Sequence, residues 1–324
     1  MDQSNEVWKI VGISVAVIVS VILLLLLLRR YMQGRQFGKE NVRMDGKIVV
    51  ITGSNTGIGK ETALEMAKRG AKVYLACRNP QRAEDARQEI VEKSNNVNVF
   101  AAELDLASME SIRKFVEKFK SQEQRLDVLI NNAGLYCPLQ RTRDGFEMQI
   151  GVNHLGHFLL TNLLLDILKS SAPSRIVTVS SLLHMFGGIK KYDLNSEKSY
   201  SAYSAYCQSK LANVLFTRAL AKKLEGTGVT ANCLHPGVVR TEFARYDTLL
   251  SFLLKPFSWI LLRTPKSGAQ TSITLAIDPD LEKVSGKYFS DCREASPGRN
   301  ARDDELAEWL WTESARLVGI EAVQ

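Results

Sequence analysis

The sequence predicts an α/β fold, in which one parallel sheet is wound with helices on both faces and is preceded by a single transmembrane helix. After Asp45, apolar strand-like runs such as KIVVIT and KVYLA alternate with helix-like runs, and this alternation is typical of a parallel sheet. Residues 10–28 contain no charged side chain, which predicts the membrane helix. We therefore expect one globular domain with one anchor.

Length and composition support a single large domain. The chain has 324 residues, of which 45% are hydrophobic and 24% are charged, as in globular proteins that bury a large core. The formal net charge is +7, but residues 29–43 alone hold five basic side chains against one acidic one. Since no basic cluster interleaved with aromatic residues follows, we do not expect nucleic acid as a partner.

The cysteines and histidines are too scattered to suggest disulfides or a metal site. They are Cys77, Cys137, Cys207, Cys233, Cys292, His154, His157, His184 and His235. The cysteines are odd in number and form no CxxC pair, so we expect reduced thiols. The two histidines at 154 and 157 lie one helical turn apart, and we expect packing roles for them rather than metal binding.

The apolar segment has the features of an uncleaved signal anchor. Its 19 residues cross about 30 Å of hydrocarbon as a helix. Six leucines run directly into Arg29 and Arg30, without the small residues of a cleavage site. Trp8 and Tyr31 stand where interfacial aromatic residues usually lie.

The charge distribution around the anchor predicts its topology. Positive charge follows the span, so the positive-inside rule makes residues 1–9 a short lumenal tail, 29–45 a basic linker and 46–324 a cytoplasmic domain. The chain has no NxS/T sequon, which agrees with a domain outside the lumen. We expect the endoplasmic reticulum membrane, and the arginines after the span leave the mitochondrial inner membrane open.

A glycine-rich turn follows the first predicted strand. In TGSNTGIG (Thr52–Gly59), the glycines at 53, 57 and 59 would let backbone amides and a helix start approach a pyrophosphate. The spacing departs from GxGxxG, and a glycine turn alone also suits any tight connection. NNAG (Asn131–Gly134) follows a later strand, at the carboxyl edge where ligands of such folds bind.

TGxxxGIG together with NNAG resembles the short-chain dehydrogenase/reductase family, whose domain is a Rossmann-type sheet. The similarity extends from about Lys47 to about Phe289 and implies a nicotinamide cofactor without a metal. It implies cofactor contacts from Gly53, Ser54, Asn55, Gly57, Ile58, Gly59, Arg78, Asp105, Leu106, Asn132, Ala133, Gly134, Tyr206, Lys210, Pro236, Gly237 and Thr241.

The end of the second strand indicates which nicotinamide cofactor is used. NAD-binding members carry an acidic residue here, whereas this chain has Cys77 followed by Arg78. Because a cation suits a 2′-phosphate, the resemblance implies NADP(H) with Arg78 as the main contact; the alternative is that Arg78 is a solvated residue at the start of a loop. Asp105 occupies the adenine-contacting position, or it caps the helix before Ser108.

The catalytic residues of the family match four positions. Tyr206 and Lys210 in YCQSK lie one helical turn apart and correspond to the family's YxxxK, in which the ammonium favours the phenolate. Ser181 corresponds to the serine that holds the substrate oxygen, and Asn153 to the proton-relay asparagine. Each residue alone could be structural, but their order beside the other motifs makes coincidence a weak alternative.

Within the family, the leader, NVRMDGKIVVITGSNTGIGKETA and HPGVVRTE resemble the microsomal retinol dehydrogenase group. This resemblance implies a lipophilic alcohol–aldehyde pair, most simply retinol and retinal, with steroids or fatty aldehydes as alternatives. A non-catalytic NADPH-binding membrane scaffold is the alternative outside enzymes. Residues 248–265 would form a lid that dips into the bilayer surface, or would pack on the domain or on a dimer partner. A homodimer through the long helices stays open.

Overall fold

The computed structural model describes residues 2–239 and 258–321, so Thr241 and the predicted lid up to residue 257 lie outside the described residues. The strands are β1 Ile48–Thr52, β2 Lys72–Cys77, β3 Val99–Glu103, β4 Val128–Asn131, β5 Ser174–Val179, β6 Val229–His235, β7 Tyr288–Ser290 and β8 Arg293–Glu294.

The α-helices are α1 Asp2–Gln33, α2 Gly57–Lys68, α3 Pro80–Ser94, α4 Met109–Gln122, α5 Met148–Ile150, α6 Gly156–Leu163, α7 Leu165–Ser170, α8 Ala202–Lys223, α9 Ser258–Leu261, α10 Pro265–Ile277 and α11 Asp304–Val318. A π-helical turn, Gly151–Leu155, joins α5 to α6. A 3₁₀ turn, Leu182–Phe186, follows β5.

The strands form one sheet in the order β3-β2-β1-β4-β5-β6-β7-β8. All pairs from β3 to β7 are parallel, and only β8 pairs antiparallel. The strand order reverses between β1 and β4, and this switch point opens the crevice in which doubly wound sheets bind ligands. The predicted fold class is confirmed.

Helices cover both faces of the sheet and bury its apolar side chains. On one face α2, α3 and α10 pack with Met66, Ile90 and Ile273 in the core. On the other face lie α4, α6, α8 and α11, where the Trp311 ring lies 4.9 Å from the Phe158 ring. Strands buried on both faces are uniformly apolar, which explains runs such as IVVIT.

The amino-terminal helix stands apart from this core. It is long and apolar enough to cross a membrane, and none of its apolar window is buried. It runs past the apolar segment to Gln33, one turn further than the charge pattern indicated. A helix exposed along its whole apolar length suits a lipid environment.

Candidate active site

Four strands end side by side at the carboxyl edge of the sheet. Parallel pairing aligns Ile51 with Ile130, Asn131 with Thr178, and Val179 with Leu234. The glycine turn, NNAG, the serine pair and HPG each follow one of these strands. The register therefore brings together motifs that are up to about 180 residues apart in sequence.

The glycine turn is built so that backbone atoms approach closely. Gly53 and Gly57 have positive φ, +64° and +58°, which L side chains rarely adopt. A Cβ at Gly53 would lie 2.9 Å from the Ala133 Cα, and one at Gly59 would lie 2.5 Å from the Asn132 Nδ2. The glycines thus hold the first turn against NNAG.

The start of α2 is open to an anion. Thr56, the residue before the helix, makes no side-chain hydrogen bond that would cap it. The first turn has no acidic residue. Free amides at a helix start bind phosphate through hydrogen bonds and the helix dipole. The glycine cradle and this helix start therefore fit the pyrophosphate of a dinucleotide, with Asn55 and Ile58 partly exposed beside them.

The residues after β2 and β3 form the far end of this crevice. Cys77 is buried, its Sγ lies 3.7 Å from the Ser54 hydroxyl, and burial raises the pKa of the thiol. Ser54 donates to the Ile51 carbonyl, whereas Arg78 is exposed. Arg78 therefore places an exposed cationic side chain directly after β2.

Asp105 and Leu106 lie in the turn between β3 and α4. One Asp105 carboxylate oxygen accepts the Ala107 amide at 3.0 Å, and Leu106 is buried. The side chain that caps α4 is Ser108, which accepts the Ser111 amide. The helix cap is therefore Ser108, and Asp105 shapes the turn before it.

Thr52 and His157 connect the glycine turn to NNAG and to Asn153. The Thr52 hydroxyl accepts the amides of Asn132 and Ala133, both at 2.9 Å, and lies 2.8 Å from the His157 Nε2. The His157 Nδ1 lies 3.1 Å from the Asn153 carbonyl, which can only accept.

The protonation state of His157 follows from these partners. Burial lowers the pKa of His157 to about 4, so the ring is neutral at physiological pH. It then carries its one proton on Nδ1 for the Asn153 carbonyl, and Nε2 accepts the proton of the Thr52 hydroxyl. The sequence indicated only packing for this histidine, because a single buried ring gives no sign of its partners.

Tyr206 and Lys210 lie one helical turn apart on α8. Both side chains are buried, 6% and 3% exposed, and the Lys210 Nζ lies 5.7 Å from the Tyr206 ring centre. Nζ donates to the Val179 carbonyl at 3.2 Å. A Cβ at Gly134 would lie only 3.0 Å from Nζ, so the ammonium touches the end of NNAG.

Burial sets the ionisation of this pair. It raises the pKa of Tyr206 above that of a free phenol, and a hydrogen bond with Ser181 opposes the rise. Burial lowers the pKa of Lys210 to about 8. The Tyr136 ring packs edge-on against Tyr206, 5.8 Å between ring centres.

Asn153 lies in the π-helical turn and is fully buried. Its Nδ2 donates to the Leu135 carbonyl at 3.0 Å and to the Ser209 hydroxyl at 2.9 Å. Its Oδ1 accepts the Leu135 amide at 2.8 Å. The side chain therefore fixes the backbone that follows NNAG. Its hydrogen bond to Ser209 also connects it to α8, the helix that carries Tyr206 and Lys210.

The HPG turn closes the edge after β6. The Gly237 amide donates to the His235 Nδ1 at 3.0 Å, and Gly237 has φ +87°. Its missing side chain makes room for Arg263, whose Cδ would lie 2.6 Å from a Cβ there. Pro236 and Gly237 thus lie at the crevice, and sequence reasoning gave no sign of Arg263 beneath them.

The sequence similarities agree with this geometry. The family model for short chain dehydrogenases matches residues 47–248. Mouse retinol dehydrogenase 13 is 55% identical over 282 residues, covering 85% of this chain and 84% of that protein. Human retinol dehydrogenase 12 is 54% identical over 283 residues, covering 87% and 89%.

Solved structures agree as well. An uncharacterized protein from Mycobacterium paratuberculosis superposes with a TM-score of 0.73 at 34% identity, covering 89% of this chain and 99% of that one. The NADP complex of RhlG from Pseudomonas aeruginosa superposes with a TM-score of 0.62 at 25% identity, covering 76% and 95%. The chain is an oxidoreductase of the short-chain dehydrogenase/reductase family, closely related to the retinol dehydrogenases.

Proposed function

We propose that the protein is an NADP(H)-dependent oxidoreductase that interconverts a lipophilic alcohol and its aldehyde, with retinol and retinal as the expected pair. The observation that carries the proposal is that the buried side chains of Tyr206 and Lys210 lie together at the carboxyl edge of the sheet, with Ser181 hydrogen-bonded to Tyr206 and Gly134 beside Lys210. A phenol with a hydroxyl partner and a nearby ammonium is equipped for general acid–base catalysis on a carbonyl.

The choice of NADP(H) rests on the end of β2. Cys77 replaces the acidic residue that would accept a ribose 2′-hydroxyl, and the exposed Arg78 follows it. A carboxylate here would repel a 2′-phosphate, whereas a guanidinium forms charge-assisted hydrogen bonds with it. The remaining proposed cofactor contacts are the glycine turn, Asp105, Leu106, NNAG, Tyr206, Lys210 and HPG, with Thr241 as a prediction outside the described residues.

In the reductive direction the bound nicotinamide supplies the hydride for the carbonyl carbon. Tyr206 donates its proton to the carbonyl oxygen, and its raised pKa keeps the phenol protonated before that step. Ser181 holds the same oxygen through its hydroxyl. The Lys210 ammonium stabilises the phenolate that remains, and Tyr206 acts as the base in the oxidative direction.

Asn153 contributes to this chemistry by fixing its surroundings. Its amide holds Leu135 through two hydrogen bonds and so positions the end of NNAG beside Lys210. The proton-relay role that the resemblance implies for Asn153 stays a prediction.

The lipophilic substrate is supported by the rim of the site and by the relatives. Leu182, Met185 and Phe186 follow Ser181 and expose large apolar surfaces, as at sites that bind apolar partners. The similar proteins are named retinol dehydrogenases. We expect the anchor at 10–28 to hold the catalytic domain, 46–324, on the cytoplasmic face of the endoplasmic reticulum, with a mitochondrial address and a homodimer still open.

The test is reduction of all-trans-retinal by the purified, detergent-solubilised protein with NADPH or NADH. We expect NADPH to be preferred, and Arg78→Asp to lower kcat/KM with NADPH by about tenfold to hundredfold, since one charged hydrogen-bond partner becomes a repulsive one. Arg299→Asp, at another exposed arginine, is the matched control and should change little.

Other outcomes would redirect the proposal. Turnover of steroids or aliphatic aldehydes without retinal turnover would change the substrate class and keep the chemistry. NADPH binding without turnover of any of these carbonyls would contradict the enzymatic function and favour a scaffold.

A further inference from the structure

The carboxyl end of the anchor helix is docked on the catalytic domain. The Arg29 guanidinium donates to the Trp259 carbonyl at 2.7 Å and lies 4.0 Å from the centre of the Trp259 ring. Gln33 donates to the Leu262 carbonyl at 3.1 Å and accepts the Thr264 amide at 2.9 Å. The last turn of α1 therefore runs along α9 and the start of α10.

The turn that follows the helix is also fixed. Gly34 has φ +70°, and a Cβ there would lie 2.1 Å from the Asp291 carboxylate. The Arg35 amide donates to the same carboxylate at 2.9 Å, and the Phe37 amide donates to Gln270 at 2.9 Å. These contacts hold the end of the anchor helix against the domain in a defined orientation.

This orientation brings α9 to the membrane surface. Arg29 is the first charged residue after the apolar segment, so it marks the boundary between hydrocarbon and headgroups. Trp259 contacts Arg29 and is 48% exposed. A half-exposed tryptophan at the level of the first arginine matches the preference of this residue for the bilayer interface.

Arg263 extends the same contact to the active-site edge. Its Nε donates to the Met32 carbonyl of α1 at 3.1 Å, and its amide donates to the Val238 carbonyl at 2.9 Å. Its side chain fills the space beside Gly237 and pairs with Asp291 at 2.9 Å. Val238, which follows the HPG turn, is 60% exposed. The turn therefore sits beside the end of the anchor.

We propose that Val238 and Trp259 form a membrane-docking surface, which rests on phospholipid headgroups and acyl chains. The arginines at the end of α1, Arg29 and Arg30, complement the headgroup phosphates. The edge that carries HPG then faces the bilayer, and a lipophilic substrate reaches the site from the lipid rather than from water. The second statement rests on the proposed function, whereas the docking surface does not.

The docking surface is tested by fluorescence of the full chain in phosphatidylcholine vesicles that contain lipids brominated near the top of the acyl chain. We expect the bromine to quench tryptophan emission, and Trp259→Phe to remove part of the quenched emission. Trp309→Phe, at a partly buried tryptophan of α11, should leave the quenched part unchanged. Equal quenching of the wild type and Trp259→Phe would overturn the proposal. A second copy of the chain that covered the surface in place of lipid would give this result.

Substrate access is tested with Gly34→Val, which should break the docked turn. Gly38→Val is the control, because a Cβ at Gly38 meets no atom within 4 Å. In vesicles, we expect Gly34→Val to lower kcat/KM for a long-chain aldehyde by about tenfold, through loss of the high local substrate concentration. A short water-soluble aldehyde should be reduced as by the wild type.

The kinetic outcomes separate the two proposals. Equal loss for both aldehydes, or no loss for either, would overturn access from the bilayer. Failure of the wild type to reduce either aldehyde would contradict the proposed function, and the quenching experiment would still decide the docking surface.

Discussion

The two halves of the crevice are built in different ways. The half formed by β1 and β2 uses backbone: glycines with positive φ and a helix start without a side-chain cap. The half formed by β4, β5 and α8 uses buried polar side chains, each with fixed hydrogen-bond partners. Binding in the nucleotide half therefore depends on the space that the glycines leave. Chemistry in the catalytic half depends on which buried side chains donate and which accept hydrogen bonds.

This difference predicts which substitutions each half tolerates least. A methyl group added to the nucleotide half meets backbone atoms that cannot move away. An isosteric change in the catalytic half keeps the packing but leaves a buried donor or acceptor without its partner. Steric substitutions should therefore abolish binding in one half, and isosteric ones should abolish chemistry in the other.

The largest effect expected on cofactor binding is that of Gly53→Val. The side chain would collide with Ala133, and we expect NADPH affinity to fall by about a hundredfold or more, because the backbone can no longer approach the pyrophosphate. Gly46→Val is the control, since Gly46 also has positive φ, +72°, but a Cβ there meets no atom within 4 Å.

Titration of NADPH against both variants decides this prediction. The control should lose about 1–3 kcal/mol of stability from backbone strain and keep its affinity. Equal loss of affinity in both variants would mean that strain, and not the collision with NNAG, controls the nucleotide half.

A smaller effect is expected where the halves meet, at His157. His157→Phe removes the hydrogen bonds to Thr52 and to the Asn153 carbonyl, and we expect kcat to fall by about tenfold as Asn153 and NNAG shift. His154→Phe is the matched control, because the His154 ring is equally buried but bonds Ser314 on α11.

The two histidine variants should differ in kind. His154→Phe should lower the unfolding temperature and leave kcat unchanged, whereas His157→Phe should lower both. If kcat per folded molecule stays at the wild-type value in His157→Phe, the network has only a structural role.

The smallest effect is the pH dependence that Lys210 gives to stability. Its pKa is about 8 in the folded chain and near 10.5 when unfolded. Between these values the unfolded state holds more protons, so this contribution to the free energy of unfolding rises with pH by about 1 kcal/mol per unit. Below pH 8 both states are charged and the contribution is constant.

Lys210→Met removes this contribution to the pH dependence of the free energy of unfolding. The difference in unfolding free energy between wild type and variant, measured in urea from pH 7 to 10, should grow in favour of the wild type above pH 8. A constant difference would mean that the ammonium is not destabilised by burial.

Most of the crevice could be predicted because its motifs are local. TGSNTGIG, NNAG and YCQSK each occupy one turn or one helix face, so sequence spacing fixes their geometry, and the register of the sheet fixes their order. The apolar runs of β1, β2 and β4 likewise predict a parallel sheet buried on both faces. The roles of the individual site residues remain predictions.

Contacts between distant residues could not be predicted. Nothing near His157 shows that Thr52 is its partner, and nothing near Arg263 shows that it lies between Met32 and Gly237. The same holds for residues 29–45, which composition marks as a linker but which contact α9 and α10 at several points. Such contacts depend on tertiary packing, which one sequence does not display.

The most direct test of the account compares Tyr206→Phe with Tyr203→Phe in NADPH-dependent reduction of retinal, with NADPH affinity measured in parallel. Tyr203 lies on the same helix but is half-exposed. We expect Tyr206→Phe to lower kcat by about a thousandfold with NADPH affinity unchanged, and Tyr203→Phe to behave as the wild type. Near wild-type turnover by Tyr206→Phe would contradict the assignment of Tyr206 as the general acid.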